Sequence, residues 1–309
     1  MLAASGDASA AYAALRRSVV DAGLLKRAHR YYAWRVSVSF LILAAGIACA
    51  LVGSPLVLLP SAVLIAFGSV QVALVGHDAG HQAVFSGRRA NVLLASACWS
   101  LALGISFAYW NDRHNRHHAS PNHVGHDPDV QWAYGPWFVP FLAFTFRMEG
   151  WRYAWHDLRG YRRVMEMMLL AVGTLAWLLP TAGFGWQWLV TVAVAQVLAS
   201  VYLAFVVAPN HIGMPTWSAR ADLTFLEQQL LSSRNVAPSP IGDFLFGGLN
   251  YQIEHHLFPT MPRSRFSAAR RLVKPFCGEH GLPYNEFGVV AVYRLLWDEV
   301  PRLGHLEPV

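Results

Sequence analysis

Residues 56–81 read LVLLPSAVLIAFGSVQVALVGHDAGH: twenty-one residues without a charge run straight into two histidines spaced four apart. At 1.5 Å rise per residue such a stretch crosses ~30 Å of hydrocarbon as a helix. The offset of four then puts His77 and His81 one turn apart on one face at its end. A second apolar stretch, 36–52, precedes it across Gly53-Ser54-Pro55, so the two read as a tight helical hairpin. Stretches 165–184 and 186–207, joined around Gly183 to Gly185, read as a second hairpin. Each hairpin leaves one side of the bilayer and returns to it.

The composition agrees. The chain has 309 residues, 55% hydrophobic and 14% charged, which excludes a water-soluble globule of ordinary make-up and points to a polytopic membrane protein. Three scattered cysteines without a CxxC pair argue against a disulfide framework and against a thiolate metal site. The opening MLAASGDASA has neither a basic start nor an early apolar core, so neither a cleavable signal peptide nor a lipid anchor is expected. All 24 Lys and Arg lie outside the two hairpins, at 16–35, 88–163 and from 220 onward, and the positive-inside rule makes each of those segments cytoplasmic, both termini included. Attraction to an anionic inner leaflet is the first explanation of the net charge of +6, and a docking face for an acidic electron-carrier protein is the second. Nothing in the basic residues suggests nucleic acid.

Two further apolar runs are not read as spans. If 90–110 crossed, the histidines at 114–118 would be carried to the opposite side from His77 and His81, so it is expected to be re-entrant or interfacial; 136–146 is too short to cross. Trp99, Trp110, Trp132, Trp137, Trp151 and Trp155 are then expected in the interfacial aromatic belt. The expected fold is an all-α integral membrane protein with four transmembrane helices in two hairpins and a cytoplasmic helical cap holding a di-metal site. It is read as one domain, 1–309: an amphipathic cytoplasmic segment (1–35), hairpin one (36–75), a cytoplasmic or interfacial region (76–164), hairpin two (165–207) and a cytoplasmic region (208–309).

Histidine is the anomaly, at 14 copies. His77 and His81 stand at i and i+4; His114, His117 and His118 stand at i, i+3 and i+4; in QIEHH, Gln252, His255 and His256 repeat that pattern with glutamine in the first place. On helices these offsets gather side chains on one face within about 5–6 Å. His211, after the second hairpin where Pro209 is expected to end the helix, lies on the same predicted side. A lone HxxxH pair can be no more than a polar contact between helices. Three clusters and His211 on one side are better explained as metal ligands: eight imidazoles exceed the three or four of one zinc and suit two metals with open positions. An all-nitrogen set suits zinc, copper, iron or nickel, and an open position on iron would admit dioxygen. Asp78, Asn115, Glu254, Asp127 and Asp129 are placed to accept from the non-ligating ring nitrogens. Gln252 is compatible with weak coordination, a water bridge or a hydrogen bond. His123 and His126 share no helical offset and read as loop residues; His29, His156, His280 and His305 have no patterned partners.

HDAGH, HNRHH and QIEHHLFP, in this order and with two hairpins around them, resemble the three histidine boxes of the membrane fatty acid desaturase family, over roughly residues 35–275. The likeness is greatest to bacterial acyl desaturases related to the front-end type, in which glutamine opens the third box. The resemblance implies a non-haem di-iron centre held by His77, His81, His114, His117, His118, His211, His255 and His256, no catalytic residue beyond that centre, O2 as co-substrate, and a double bond introduced into an acyl chain carried by a lipid, CoA or carrier protein. A fused cytochrome domain with its His-Pro-Gly-Gly signature is not found in the first 35 residues, so electrons are expected from a separate ferredoxin or cytochrome with its reductase, and the bacterial inner membrane is the expected location. A hydroxylase or acetylenase of the same family, acting on fatty acids or sphingolipids, shares these ligands. A membrane zinc hydrolase is the alternative of a different class, because HDAGH approaches HExxH, but Asp78 is a methylene shorter than that motif's glutamate and the remaining histidines would go unused.

Overall fold

The computed structural model of the chain describes residues 5–130, 136–217 and 223–303 and is predominantly helical; Trp132 and His305 lie outside the described residues. The helices that matter are α1 (Ser5–Asp21), α2 (His29–Ala50), α3 (Leu58–Gly80), α4 (Arg88–Ser96), α5 (Phe107–Ala119), α6 (Leu142–His156), α7 (Gly160–Leu178), α8 (Thr181–His211), α9 (Phe225–Ser232), α10 (Pro240–Leu245), α11 (Gln252–Leu257), α12 (Phe266–Glu279) and α13 (Val289–Leu303). The strands β1 (Asn235–Val236) and β2 (Glu286–Phe287) are two residues each and pair in parallel.

Among the described residues three helical stretches are long and apolar enough to cross a membrane by themselves: His29–Ala50, Pro55–Gly80 and Thr181–His211. The expected span at 165–184 takes the form of α7, which starts earlier and ends before Pro180. Its first turns carry Arg162, Arg163 and Glu166, and those charges keep it below the apolarity of the other three. The segment read as re-entrant consists of Arg88–Ala102 and Phe107–Ala119, bent by 117° at the break; as one span this pair would be a fourth.

The chain divides into two compact units. One comprises His29–Asp112 and Trp137–Ala204. In it α2 and α3 run antiparallel: a Cβ on Gly68 would stand 2.6 Å from Leu43 N, and one on Gly46 would stand 2.7 Å from Ile65 N, so glycine permits backbone contact at both crossings. Its core contains Tyr32, Leu43, Ile65, Val72, Val75, Trp99 and Trp110. The belt assignment of Trp99 and Trp110 is therefore corrected. Both are buried, at 5% and 8% exposure, and stack on each other at 4.8 Å. They fill the groove left by two glycines one turn apart in α3, where a Cβ on Gly76 would meet Trp99 at 2.7 Å and one on Gly80 would meet Trp110 at 2.6 Å. Trp137 and Trp155 are exposed and Trp151 is half-buried.

The bend between α4 and α5 is held from within this unit. Buried Glu166 of α7 accepts on a single oxygen, Oε1, from the hydroxyls of Ser100 (2.9 Å) and Ser106 (2.7 Å) and from Ala108 N–H (3.3 Å), on both sides of the break. The bend's carbonyls are also met, Leu103 O by Arg147 and Ala102 O by the Trp177 indole, each at 2.8 Å. Buried non-helical backbone requires this kind of internal satisfaction.

The other unit comprises the residues up to Ala28, those from Arg113 into the loop after α5, and those from Phe205 onward. Leu15 and Val19 of α1, Leu226 and Leu230 of α9, Ile253 and Leu257 of α11 and Phe266 and Val273 of α12 form its core. Tyr12 of α1 donates to Leu257 O at 2.9 Å, beside the histidines of α11. Here α8 continues past Pro209 to His211 rather than ending at the proline. Pro209 has no N–H for the carbonyl four residues back, Phe205 O, and Tyr293 of α13 supplies a hydroxyl to it at 2.5 Å. The last carbonyls are capped by Arg234, whose guanidinium donates to Pro209 O and Ile212 O, both at 2.8 Å, placing a cation at the negative end of the helix.

Candidate metal centre

α5 presents three imidazoles. His114 and His118 are a turn apart with ring centroids 4.6 Å from each other, and His117 is turned aside from His118 at 5.7 Å. Successive helical residues point about 100° apart, so His117 and His118 point apart, although both reach His256 of α11, at 5.1 and 4.2 Å. His118 meets His255 at 4.7 Å, and the ligand atoms of His114, His118 and His255 lie within 4.8 Å of one another. His117 meets His256 at 5.1 Å and His211 at 4.6 Å, and the ligand atoms of His117, His211 and His256 also gather within 4.8 Å. His118 Nε2 and His114 Nε2 are 3.1 Å apart.

The second of these groups is oriented from behind at every ring. His117 donates through Nδ1 to Asp127 Oδ2 at 2.9 Å, His211 through Nδ1 to Ser232 O at 2.9 Å, and His256 through Nδ1 to Gln229 Oε1 at 2.8 Å. Each bond fixes one tautomer and leaves Nε2 as the acceptor nitrogen of the ring, the arrangement that metal-ligating histidines adopt. The donor set, three imidazole nitrogens with no thiolate, fits a transition metal. Asp127 is fully buried and also accepts from the N–H groups of Asn122 and Asp129, each at 2.8 Å. Burial opposes its ionisation, but the His117 bond and these two N–H groups outweigh it and hold the carboxyl below the usual carboxylate range. Asp129 lies 3.6 Å from His117 Nδ1, is half-exposed, and is itself paired with Arg113 at 2.7 Å.

Gln252 donates from Nε2 to His211 Nε2 at 2.8 Å, while its Oε1 accepts from Asn210 at 3.1 Å. Glu254 faces elsewhere: its carboxylate accepts from Asn235 at 2.8 Å and Tyr284 at 2.7 Å, and burial pushes it up to about 7. Asn115 is exposed on α5. His123 is half-buried and His126 exposed in the loop after α5, while His29, His156 and His280 are exposed.

In the other unit, His77 and His81 at the end of α3 are both buried, with ring centroids 4.8 Å apart. His77 Nδ1 lies 3.2 Å from Asp78 Oδ1, and the other oxygen of Asp78 accepts from Tyr32 of α2 at 2.7 Å.

Gln229, Ser232 and Tyr32 were not singled out by sequence. Gln229 sits on α9 in the same buried stripe as Leu226 and Leu230, and a fully buried amide at a core position is the one signal that could have found it. The Ser232 contribution is a backbone carbonyl, which no side-chain pattern reveals.

The fatty acid desaturase family model matches residues 53–288. The chain is 30% identical to the Delta(6)-fatty-acid desaturase fat-3 of Caenorhabditis elegans over 87% of its own length and 69% of the relative's. It is 30% identical to the acyl-lipid (9-3)-desaturase of Physcomitrium patens, covering 86% of the chain and 57% of the relative, and 27% identical to the Delta(5) fatty acid desaturase fat-4 of C. elegans, covering 81% and 64%. The chain thus spans between 57% and 69% of the length of these relatives. A membrane-type helical chain with histidines gathered in this way, matched by that family model over most of its length, belongs to the fatty acid desaturase family, a family of oxidoreductases.

Proposed function

We propose that the chain is a membrane acyl desaturase in which His77, His81, His114, His117, His118, His211, His255 and His256 hold two iron ions. The observation that carries this reading is the group His117, His211 and His256, each anchored through Nδ1 by a different acceptor and with ligand atoms within 4.8 Å of one another. Such a centre, when loaded, supplies an oxidant for unactivated C–H bonds, which lack the acidity that general-base removal needs. The balanced reaction removes one hydrogen from each of two adjacent methylenes and, with O2, two electrons and two protons, yields a double bond and two waters. The residues of this chain orient the rings: Asp127, Gln229 and the Ser232 carbonyl hold His117, His256 and His211, and Asp78 with Tyr32 holds His77. Positional selectivity follows from how the chain fixes the acyl tail, because small displacements of a reacting carbon are costly to rate.

The two hairpins and the cytoplasmic placement of both termini and the histidines are part of the proposal, supported by the Lys and Arg distribution. So are the bacterial inner membrane, a separate electron donor of ferredoxin or cytochrome type, and a lipid-, CoA- or carrier-bound acyl substrate. The test is expression in a host with its own electron carriers, mass spectrometry of total fatty acids and metal analysis of the purified chain. A new unsaturated acid together with two irons per chain is the expected result. A hydroxy acid instead reassigns the chemistry to hydroxylation, and zinc without iron, with an unchanged acid profile, overturns the reading in favour of a hydrolase.

A further inference from the structure

Helix α13 has two apolar faces. Val292 is fully buried against its own unit, whereas Val289, Val290 and Trp297 are 46%, 61% and 75% exposed, and with Tyr293 they line a shallow open groove flanked by Arg294 and Asp298. At 3.6 residues per turn these four side chains fall within about a quarter to a third of the helix circumference and form one strip; Leu295, 41% exposed, lies on another side of the helix. Its position decides what it faces. Tyr293 stacks on Phe205 of α8 at 4.6 Å, and Phe246, after α10, packs on the same ring at 5.4 Å. Phe205 precedes His211 by six residues, about 9 Å along the axis of α8. Around that level α8 exposes Val201, Phe205 and Val207. The exposed apolar strip of α13 therefore adjoins Phe205, itself exposed on the last turns of α8.

We propose that α13 is an interfacial helix, with the strip Val289, Val290, Tyr293 and Trp297 seated in the boundary between headgroups and acyl chains of the bilayer. Contact with Phe205, less than two turns before the end of α8, suits a helix that buries its apolar face by ~5–10 Å, and tryptophan is favoured at that level because its ring is apolar and its N–H polar. The exposed flank carries one charge of each sign, Arg294 and Asp298, so attachment is driven by apolar contact and not by anionic lipid. The inference rests on α8 being a span, which the test reports separately.

The experiment uses the full chain in phosphatidylcholine vesicles, with and without phosphatidylglycerol, in a Cys49→Ala background; Cys98 and Cys277 are buried and do not label. Nitroxide labels are placed by Val290→Cys, Trp297→Cys, Arg294→Cys and Asp298→Cys, with Val201→Cys as the reference for α8, and collision rates with oxygen and with a water-soluble nickel chelate are measured. The expected ratio of oxygen to chelate accessibility is several-fold higher at Val290 and Trp297 than at Arg294 and Asp298, the same with and without the anionic lipid. Equal chelate access at all four positions overturns the proposal, and so does protection of Val290 and Trp297 from both reagents, which identifies a second copy or a protein partner. Chelate access at Val201 overturns the span assignment itself. As an independent measurement, Trp297→Phe lowers the fraction of tryptophan fluorescence quenched by brominated phosphatidylcholine; an unchanged fraction also sinks the inference.

Discussion

Gln229 joins the second and third histidine clusters: its Oε1 accepts from His256 Nδ1 at 2.8 Å, and its Nε2 donates to the main-chain carbonyl of His118 at 3.2 Å. One neutral amide thus sets both the tautomer of His256 and the separation of α11 from α5. Gln229→Leu removes the acceptor while keeping the volume, and iron retention against a competing chelator is expected to fall by roughly 10- to 100-fold. Gln229→Glu keeps an acceptor and should retain far more iron. Equal retention by the two variants would show that the amide does not orient the ring.

Asp127 and Asp129 separate by burial. Asp127→Ala strands three N–H donors, on His117, Asn122 and Asp129, and is expected to cost about 3 kcal/mol of stability along with iron. Asp129→Ala acts on a side chain that is 44% exposed, and should leave both the melting temperature and the iron content close to wild type. Thermal unfolding in detergent and metal analysis of the two variants side by side check the contrast.

Because all three bonds of Glu166 go to one oxygen, glutamine and leucine give different answers. Glu166→Gln keeps an acceptor oxygen and lowers the melting temperature slightly. Glu166→Leu leaves the Ser100 and Ser106 hydroxyls and the Ala108 N–H without it, for a loss of roughly 3 kcal/mol. A leucine variant as stable as wild type would mean that the bend is held by its apolar contacts alone.

Glu286 of β2 accepts from Arg270 through both oxygens at 2.5 Å and from Lys274 at 2.9 Å. The Arg270 bonds, opposed by partial burial and reinforced by Lys274, hold its carboxyl below the ordinary glutamate value. A depressed carboxyl stabilises the folded chain at pH values above its unfolded pKa, and that stability disappears as pH falls through the folded pKa. Wild type should therefore melt above Glu286→Gln at neutral pH, with the two curves converging below about pH 4, since unfolded glutamate titrates near ~4.3. A constant gap down to acid pH would contradict the assignment.

Tight contact between α3 and the tryptophan pair makes Gly80→Ala costly. The added methyl would lie 2.6 Å from the buried Trp110 ring, which stacks on Trp99. A loss of about 1–3 kcal/mol is expected from overpacking, read as a drop in melting temperature, with the near-ultraviolet circular dichroism of the tryptophans changed.

Local features were legible in the chain itself. The apolar stretches around Gly53 to Pro55, the confinement of every Lys and Arg outside them, and the i, i+3, i+4 spacing of histidines follow from helix geometry and from the cost of placing charge in hydrocarbon, both of which act over a few residues. The failure of 90–110 to run on as one straight helix was also readable, because a straight crossing would have parted the histidine clusters. What only the tertiary structure decided is where neighbouring rings diverge and what stands behind them. His117 and His118 are adjacent in sequence but join different groups, because a step of one residue turns a helical side chain by about 100°. Their companions come from α8 and α11, more than ninety residues away in the chain. The acceptors Gln229 and Ser232 O, the Glu166 clasp and the burial of Trp99 and Trp110 against two glycines depend on contacts between elements distant in sequence, and such contacts leave no periodic trace in the order of the residues.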